Sequence, residues 1–205
     1  MQIEKVMTTC PVIPVIVIDD IADAVPLAQA LVNGGLKVLE VTLRTDCGLE
    51  AIRLIKAEVD GAIVGAGTVI TPQDCNSAIA AGAEFLVSPG STQALVDEAA
   101  KSDVPLLAGA ATASEVMALL ASGIKHMKFF PAEAAGGVAM LKSIAGPLPQ
   151  VKFCPTGGIN ESLALSYLVL ENVLCIGGTW MLDKKLIAAK DWAAIEAKAR
   201  LAAQL

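Results

Sequence analysis

Short apolar segments recur along the chain at intervals of about 25 residues, and each is followed by an alanine-rich stretch with helical periodicity. Parallel strands need a crossover connection, and every connection in this pattern is helical, so the pattern predicts a parallel sheet. Eight strand–helix units predict an α/β fold, a closed (β/α)₈ TIM barrel, as a single domain over residues 1–205. The predicted strands are residues 12–18, 38–43, 62–69, 85–89, 105–110, 126–131, 151–158 and 173–180.

Helix boundaries are marked by residues that favour the two ends of a helix. Thr112 is followed three positions later by Glu115, which is the spacing of a capping box, and Thr71 precedes a proline at a predicted first helical position. Glycines follow three of the periodic stretches, where a left-handed residue commonly ends a helix. These glycines are Gly35, Gly82 and Gly123.

A doubly wound open sheet is the competing architecture. The first predicted strand is followed by Val-Ile-Asp-Asp-Ile and lacks the G-x-G-x-x-G sequence typical of dinucleotide-binding open sheets, which favours the barrel only weakly. At 205 residues the chain is near the lower length limit of the barrel fold, so we expect short loops.

The composition narrows the class of protein further. The chain is 55% hydrophobic but has no uninterrupted run of 18 apolar residues, which predicts a large core and no membrane span. A net charge of −6 and the lack of a basic run argue against nucleic-acid binding. The N-terminus has no signal-like stretch, so we expect a cytoplasmic protein. Five cysteines without a C-x-x-C pair, together with a single histidine, predict buried reduced thiols and no metal site.

Lys128 lies within the apolar, strand-like segment His-Met-Lys-Phe-Phe-Pro. Burial disfavours the ammonium form, so we expect the pKa of Lys128 to fall toward neutrality and its free amine to form a Schiff base with a ketone. The alternative is that the segment has a polar edge along which the amine reaches solvent. The segment alone does not decide between the two.

Polar residues and glycines gather where the predicted strands end, which is the catalytic end of a barrel. In the second strand Glu40, Thr42 and Arg44 share one face, which places a hydroxyl between a carboxylate and a guanidinium. Glycine pairs follow strands seven and eight, where barrels commonly bind phosphate, although either pair alone is more typical of a simple turn. The other strand ends concerned are Gly65-Ala66-Gly67-Thr68, Thr156-Gly157-Gly158 and Gly177-Gly178-Thr179.

Five ordered blocks carry a resemblance that covers nearly the whole chain. They are residues 38–45 (Val-Leu-Glu-Val-Thr-Leu-Arg-Thr), 64–69 (Val-Gly-Ala-Gly-Thr-Val), 128–133 (Lys-Phe-Phe-Pro-Ala-Glu), 153–159 (Phe-Cys-Pro-Thr-Gly-Gly-Ile) and 174–180 (Leu-Cys-Ile-Gly-Gly-Thr-Trp). In these blocks the chain resembles the bacterial 2-keto-3-deoxy-6-phosphogluconate (KDPG) aldolases, class I aldolases that also cleave 4-hydroxy-2-oxoglutarate (KHG). The resemblance implies a keto-acid substrate, a homotrimer, and no metal or other cofactor.

The resemblance also assigns roles to single residues. It implies that Lys128 forms the Schiff base and that Glu40 transfers protons. Arg44 and Thr68 match positions that hold the pyruvate-side carboxylate, and Thr156 matches a position linked to stereochemical discrimination. The other implied substrate-binding residues are Phe130 and Pro89 around the imine pocket, and Gly157, Gly158, Gly178 and Thr179 in a phosphate cradle.

Two residues, Thr179 and Glu133, and two alternative functions leave the interpretation open. Thr179 stands where the family resemblance predicts serine, which puts the balance between phosphorylated and unphosphorylated substrates in doubt. Glu133 is a rival carboxylate on the same loop as Lys128, able either to orient the amine or the base, or to be a plain loop charge. A cofactor-free sugar-phosphate isomerase, with Glu40 as base, and a non-catalytic sugar-phosphate-binding barrel are the alternative functions.

Overall fold

The computed structural model describes residues 2–205, which form a ring of eight parallel strands surrounded by helices. The strands are β1 (Val12–Ile16), β2 (Val38–Thr42), β3 (Ile63–Gly67), β4 (Leu86–Val87), β5 (Leu106–Ala110), β6 (His126–Phe129), β7 (Lys152–Pro155) and β8 (Ile176–Gly178). The helices are α1 (Ile3–Thr9), α2 (Ala24–Asn33), α3 (Gly48–Glu58), α4 (Pro72–Ala80), α5 (Gln93–Ala99), α6 (Ala113–Ala121), α7 (Gly137–Ala145), α8 (Glu161–Leu168), α9 (Lys184–Ala188) and α10 (Trp192–Ala202), with a 3₁₀ turn at Ile21–Asp23.

The strand order confirms the predicted barrel. Neighbouring strands follow one another in chain order from β1 to β7, and β1 also pairs with β8. Single bridges from Phe153 to Val173 and from Thr156 to Gly177 join β7 to the β8 segment and close the ring. All strand pairs are parallel. The doubly wound open sheet is therefore wrong.

The predicted helix boundaries have the expected capping chemistry. Thr71 and Thr112 each accept a hydrogen bond from a backbone N–H in the first turn, at the starts of α4 and α6, and Asp74 and Glu115 complete two reciprocal capping boxes. Such caps typically contribute about 1 kcal/mol each. The three predicted glycines follow α2, α4 and α6 with positive φ: Gly35 (+99°), Gly82 (+96°) and Gly123 (+82°).

The strands are buried on both faces, as expected for a sheet covered by helices. Between β6 and β7 the rings of Phe129 and Phe153 pack edge to face with centroids 6.1 Å apart. A methyl group on Gly65 would lie 2.5 Å from the Phe85 ring, so β3 needs glycine there to admit that ring. No helix among residues 2–205 is both long and apolar enough to cross a bilayer.

Candidate active site

Lys128 and Glu40 meet in the interior of the barrel from opposite walls. Lys128 Nζ lies 3.1 Å from Glu40 Oε1 and 3.5 Å from Oε2, although the residues are 88 positions apart in the chain. Their side chains are only 5% and 4% exposed. The alternative in which the Lys128 amine reaches solvent is therefore wrong. The pair places a nucleophilic nitrogen and a proton acceptor within one hydrogen bond of each other.

Gly67 leaves the space that the Glu40 carboxylate occupies. A Cβ atom on Gly67 would lie 2.4 Å from Glu40 Oε1 and 2.6 Å from its Cγ, which is closer than real Cβ contacts come. The position of Glu40 in the sheet is fixed by the strand register, which pairs it with Val15 on β1 and Gly65 on β3. The glycine at the end of β3 therefore lets the carboxylate point at Lys128.

We expect Gly67→Ala to reduce turnover by about 10²-fold, because displacement of a catalytic group by about 1 Å can cost that much. The added methyl must push the Glu40 carboxylate away from Lys128. Steady-state kcat is the measurement. The matched control is Gly146→Ala, where the nearest atom to the new methyl is 3.9 Å away. A Gly67→Ala enzyme with the turnover of the Gly146→Ala enzyme would contradict this account.

Arg44 and Thr68 lie together at the ends of β2 and β3. Arg44 Nε donates a hydrogen bond of 3.0 Å to Thr68 Oγ1. Thr68 has a φ of +60°, a conformation that is costly for a β-branched residue and that is found mostly where function requires it. The Thr42 hydroxyl, which is predicted to lie between Glu40 and Arg44 on one face of β2, donates a hydrogen bond of 2.9 Å to the Ile16 carbonyl. The cation and the hydroxyl of the Arg44–Thr68 pair can bind a carboxylate.

Phe130 and Pro89 lie at the ends of strands near the lysine. The Phe130 ring centroid is 5.5 Å from Lys128 Nζ, within the range of a cation–π contact. Pro89 follows β4, and its carbonyl carbon would lie 2.3 Å from a Cβ on Gly109 of β5. The glycine in the small-sided segment 108–113 thus admits the backbone of Pro89, a role that the sequence did not reveal.

The two glycine pairs lie side by side, since Thr156 bridges to Gly177. Gly157 and Gly158 have positive φ values of +105° and +80°, so this turn requires glycine. Gly178 is different, because a Cβ there would lie 2.0 Å from the Trp180 ring, so the close packing of that ring accounts for the glycine. Thr179 is exposed and lines a cavity of about 430 Å³ with β1 and α9.

Known proteins are similar to this chain in both sequence and fold. The family model for KDPG and KHG aldolase matches residues 3–198. The KHG/KDPG aldolase of Escherichia coli strain K12 is 51% identical over 201 residues, which are 98% of this chain and 94% of that protein. The chain belongs to the KDPG and KHG aldolase family.

Two solved structures of the aldolase family show the same barrel with bound small molecules. The KDPG aldolase of Legionella pneumophila, with pyruvate captured at low pH as a covalent carbinolamine intermediate, has a TM-score of 0.96 and 48% identity over 99% of this chain and 98% of that chain. The KDPG aldolase of Zymomonas mobilis ZM4 with 3-phosphoglycerate has a TM-score of 0.95 and 50% identity over 98% of this chain and 95% of that chain.

The cysteines and the single histidine lie outside the Lys128–Glu40 pair and form no metal site in residues 2–205. Within the described part of the chain, no three His, Cys, Asp or Glu residues are placed to hold a metal ion. Four of the five cysteines are buried free thiols, as predicted, whereas Cys47 is only half-buried. The start of β6 carries His126, and burial lowers the pKa of its imidazole, so this ring is neutral at pH 7.

Proposed function

We propose that this protein, as one barrel domain over residues 1–205, is a class I aldolase of KDPG, which it reversibly cleaves to pyruvate and glyceraldehyde 3-phosphate. It also cleaves KHG to pyruvate and glyoxylate. The observation that carries the proposal is the buried pair of Lys128 and Glu40, 3.1 Å apart. Membership of the aldolase family, and the pyruvate carbinolamine in the Legionella relative, support the same chemistry.

Imine formation begins at the Lys128 amine. Glu40 accepts a proton from the amine, whose lone pair then attacks the C2 ketone of the substrate. Glu40 then gives this proton to the hydroxyl of the carbinolamine, which leaves as water, so an iminium forms and Glu40 is again a carboxylate. The carboxylate of the substrate binds the Arg44–Thr68 pair, which fixes the orientation of C2 above the lysine.

Carbon–carbon cleavage uses the iminium as an electron sink. Glu40 removes the proton of the C4 hydroxyl, the C3–C4 bond breaks, and its electron pair flows into the iminium to give an enamine. The aldehyde leaves, Glu40 returns its proton to C3, and water hydrolyses the imine to release pyruvate. Each proton transfer involves the same carboxylate, so one buried acid–base group serves the whole cycle.

The phosphate of KDPG is proposed to bind the turn at Gly157 and Gly158, beside Thr179. Glycines free backbone amides to approach phosphate, and barrels commonly bind phosphate after strands seven and eight. The Gly158 N–H donates to no protein oxygen within residues 2–205, so it is available to a ligand. The 3-phosphoglycerate in the Zymomonas relative supports a phosphorylated substrate.

Incubation with pyruvate and borohydride tests the Schiff base directly, because reduction converts an imine to a stable amine. We expect the intact mass to rise by one reduced pyruvate and the modified peptide to contain Lys128. No added mass in folded protein would remove the imine and favour a cofactor-free isomerase or a binding protein. The same sample would then be assayed for sugar-phosphate isomerisation and ligand binding.

We also propose that the protein assembles as a homotrimer. Exposed apolar side chains on the outer helices support burial between subunits. They are Leu165 on α8, Val169 at the C-terminal cap of that helix, and Met117 on α6. Light scattering should give three times the 21.0 kDa mass of one chain. A mass of one chain would exclude the trimer.

A further inference from the structure

Glu133, the rival carboxylate on the loop after β6, forms no hydrogen bond or ion pair with either member of the catalytic pair. Within residues 2–205 its side chain bonds to Tyr167 on α8, whose hydroxyl donates to Glu133 Oε1. Tyr167 is fully buried. Burial and this hydrogen bond raise the pKa of Tyr167, so the phenol stays protonated and remains the donor. The interaction therefore holds the Glu133 carboxylate toward α8, and Glu40 is the carboxylate that bonds to Lys128.

Glu133 supports the Gly157–Gly158 turn from two sides. Its backbone N–H donates to the Gly157 carbonyl at 3.1 Å, and the neighbouring Ala132 N–H donates to the Thr156 carbonyl at 2.8 Å. Its side-chain stem packs so closely on Gly158 that a Cβ there would lie 2.8 Å from Glu133 Cβ and Cγ. The position of this stem consequently determines where the turn can lie.

The packing around the pair leaves Glu133 little freedom. A Cβ on Gly137, the first residue of α7, would lie 3.0 Å from Tyr167 Oη and 3.1 Å from Glu133 Oε1. The hydroxyl and the carboxylate thus both lie close against the first residue of α7. Loss of the Tyr167 hydroxyl would release the Glu133 side chain, which is otherwise exposed.

We propose that Tyr167 and Glu133 are positioning residues that fix the Gly157–Gly158 turn for the phosphate end of the substrate. The proposal rests on the proposed aldolase function, because it assigns the turn to the phosphate of KDPG. Tyr167 and Glu133 form no hydrogen bond or ion pair with Lys128 or Glu40, so they set the affinity for phosphorylated substrates and leave the imine chemistry unchanged. KHG, which lacks a phosphate, does not depend on it.

The test compares KDPG with KHG in the variants Tyr167→Phe and Glu133→Ala. We expect KM for KDPG to rise about tenfold, which is the effect of one lost hydrogen bond to a charged group, with kcat on both substrates and KM for KHG unchanged within about twofold. Glu133→Gln keeps an acceptor for the hydroxyl and a similar stem, so it should restore KM for KDPG to within about threefold of the wild type.

Glu84→Gln is the control for loss of a carboxylate elsewhere in the barrel. Glu84 precedes β4 at the opposite end of the barrel, where its side chain accepts from the Val64 N–H and pairs with Lys56. Equal increases in KM for KDPG and KHG would show a purely structural role and overturn the proposal. An unchanged KM for KDPG in either folded variant would also overturn it. Borohydride capture of pyruvate by the wild type, which involves no phosphate, reports separately on the aldolase function. Glu133→Ala keeps Tyr167 in place, so the test does not depend on folding of the tyrosine variant.

Discussion

Replacement of Lys128 by methionine is expected to abolish covalent capture of pyruvate and to reduce aldol cleavage by about 10⁴-fold or more. Methionine has similar length but no nucleophile. Lys128 is the only lysine buried within residues 2–205, and Glu40 is within hydrogen-bond distance of it, so no other amine is placed to take over. Intact mass after pyruvate and borohydride, with kcat on KDPG, measures both effects.

The Lys128→Met variant will also be less stable, and this must be separated from its lost chemistry. Removing one partner of a buried ion pair typically costs about 3–5 kcal/mol, because the other charge remains buried and unpaired. The double variant Lys128→Met with Glu40→Leu removes both charges and should recover much of that stability. It should still fail to capture pyruvate.

Lys125→Met is the matched lysine control. Lys125 immediately precedes β6 and is exposed, at the end of the strand away from the site. It should capture pyruvate as the wild type does. Capture that persists in Lys128→Met, or a modified peptide that contains Lys125, would contradict the assignment of the nucleophile.

The fold could be predicted because the barrel repeats one local pattern. Each strand is a short apolar run and each crossover is a helix, so periodicity alone gave eight strands in their correct order. The strand ends were less accurate. The predicted strand 151–158 is observed as Lys152–Pro155, since Gly157 and Gly158 turn the chain with positive φ. A run of small residues does not reveal where the hydrogen-bonded ladder stops.

The site was predicted where side-chain alternation and strand ends suffice, and missed where contacts join distant residues. Alternation placed Glu40 inside the barrel, and the structure brings it to Lys128. The same alternation does not reveal that the Thr42 hydroxyl donates to a carbonyl on the neighbouring strand β1. The contact of Tyr167 with Glu133 spans 34 positions and has no local signal. The role of Tyr167 and Glu133 becomes visible only when the folded structure shows which residues lie next to them.

Glu40→Gln is expected to lower kcat on KDPG by about 10²–10⁴-fold. Borohydride should still capture pyruvate on Lys128 during a long incubation, because water can accept the amine proton more slowly in place of Glu40. Glutamine fills the same space beside Gly67 and can accept a hydrogen bond from the lysine, but its amide cannot take up the C4 hydroxyl proton or return it to C3. The enamine step can be followed separately by exchange of the pyruvate C3 protons in D₂O, which should slow along with cleavage.

Glu133→Gln distinguishes Glu40 from the other carboxylate near the lysine. It removes the same charge from the loop after β6, yet Glu133 bonds to Tyr167 and not to the catalytic pair, so kcat and proton exchange should stay close to wild type. If Glu133→Gln slowed exchange and Glu40→Gln did not, the base would be misassigned. A folded Glu40→Gln variant that captured no pyruvate even after long incubation would contradict this prediction, because imine formation would then depend entirely on Glu40.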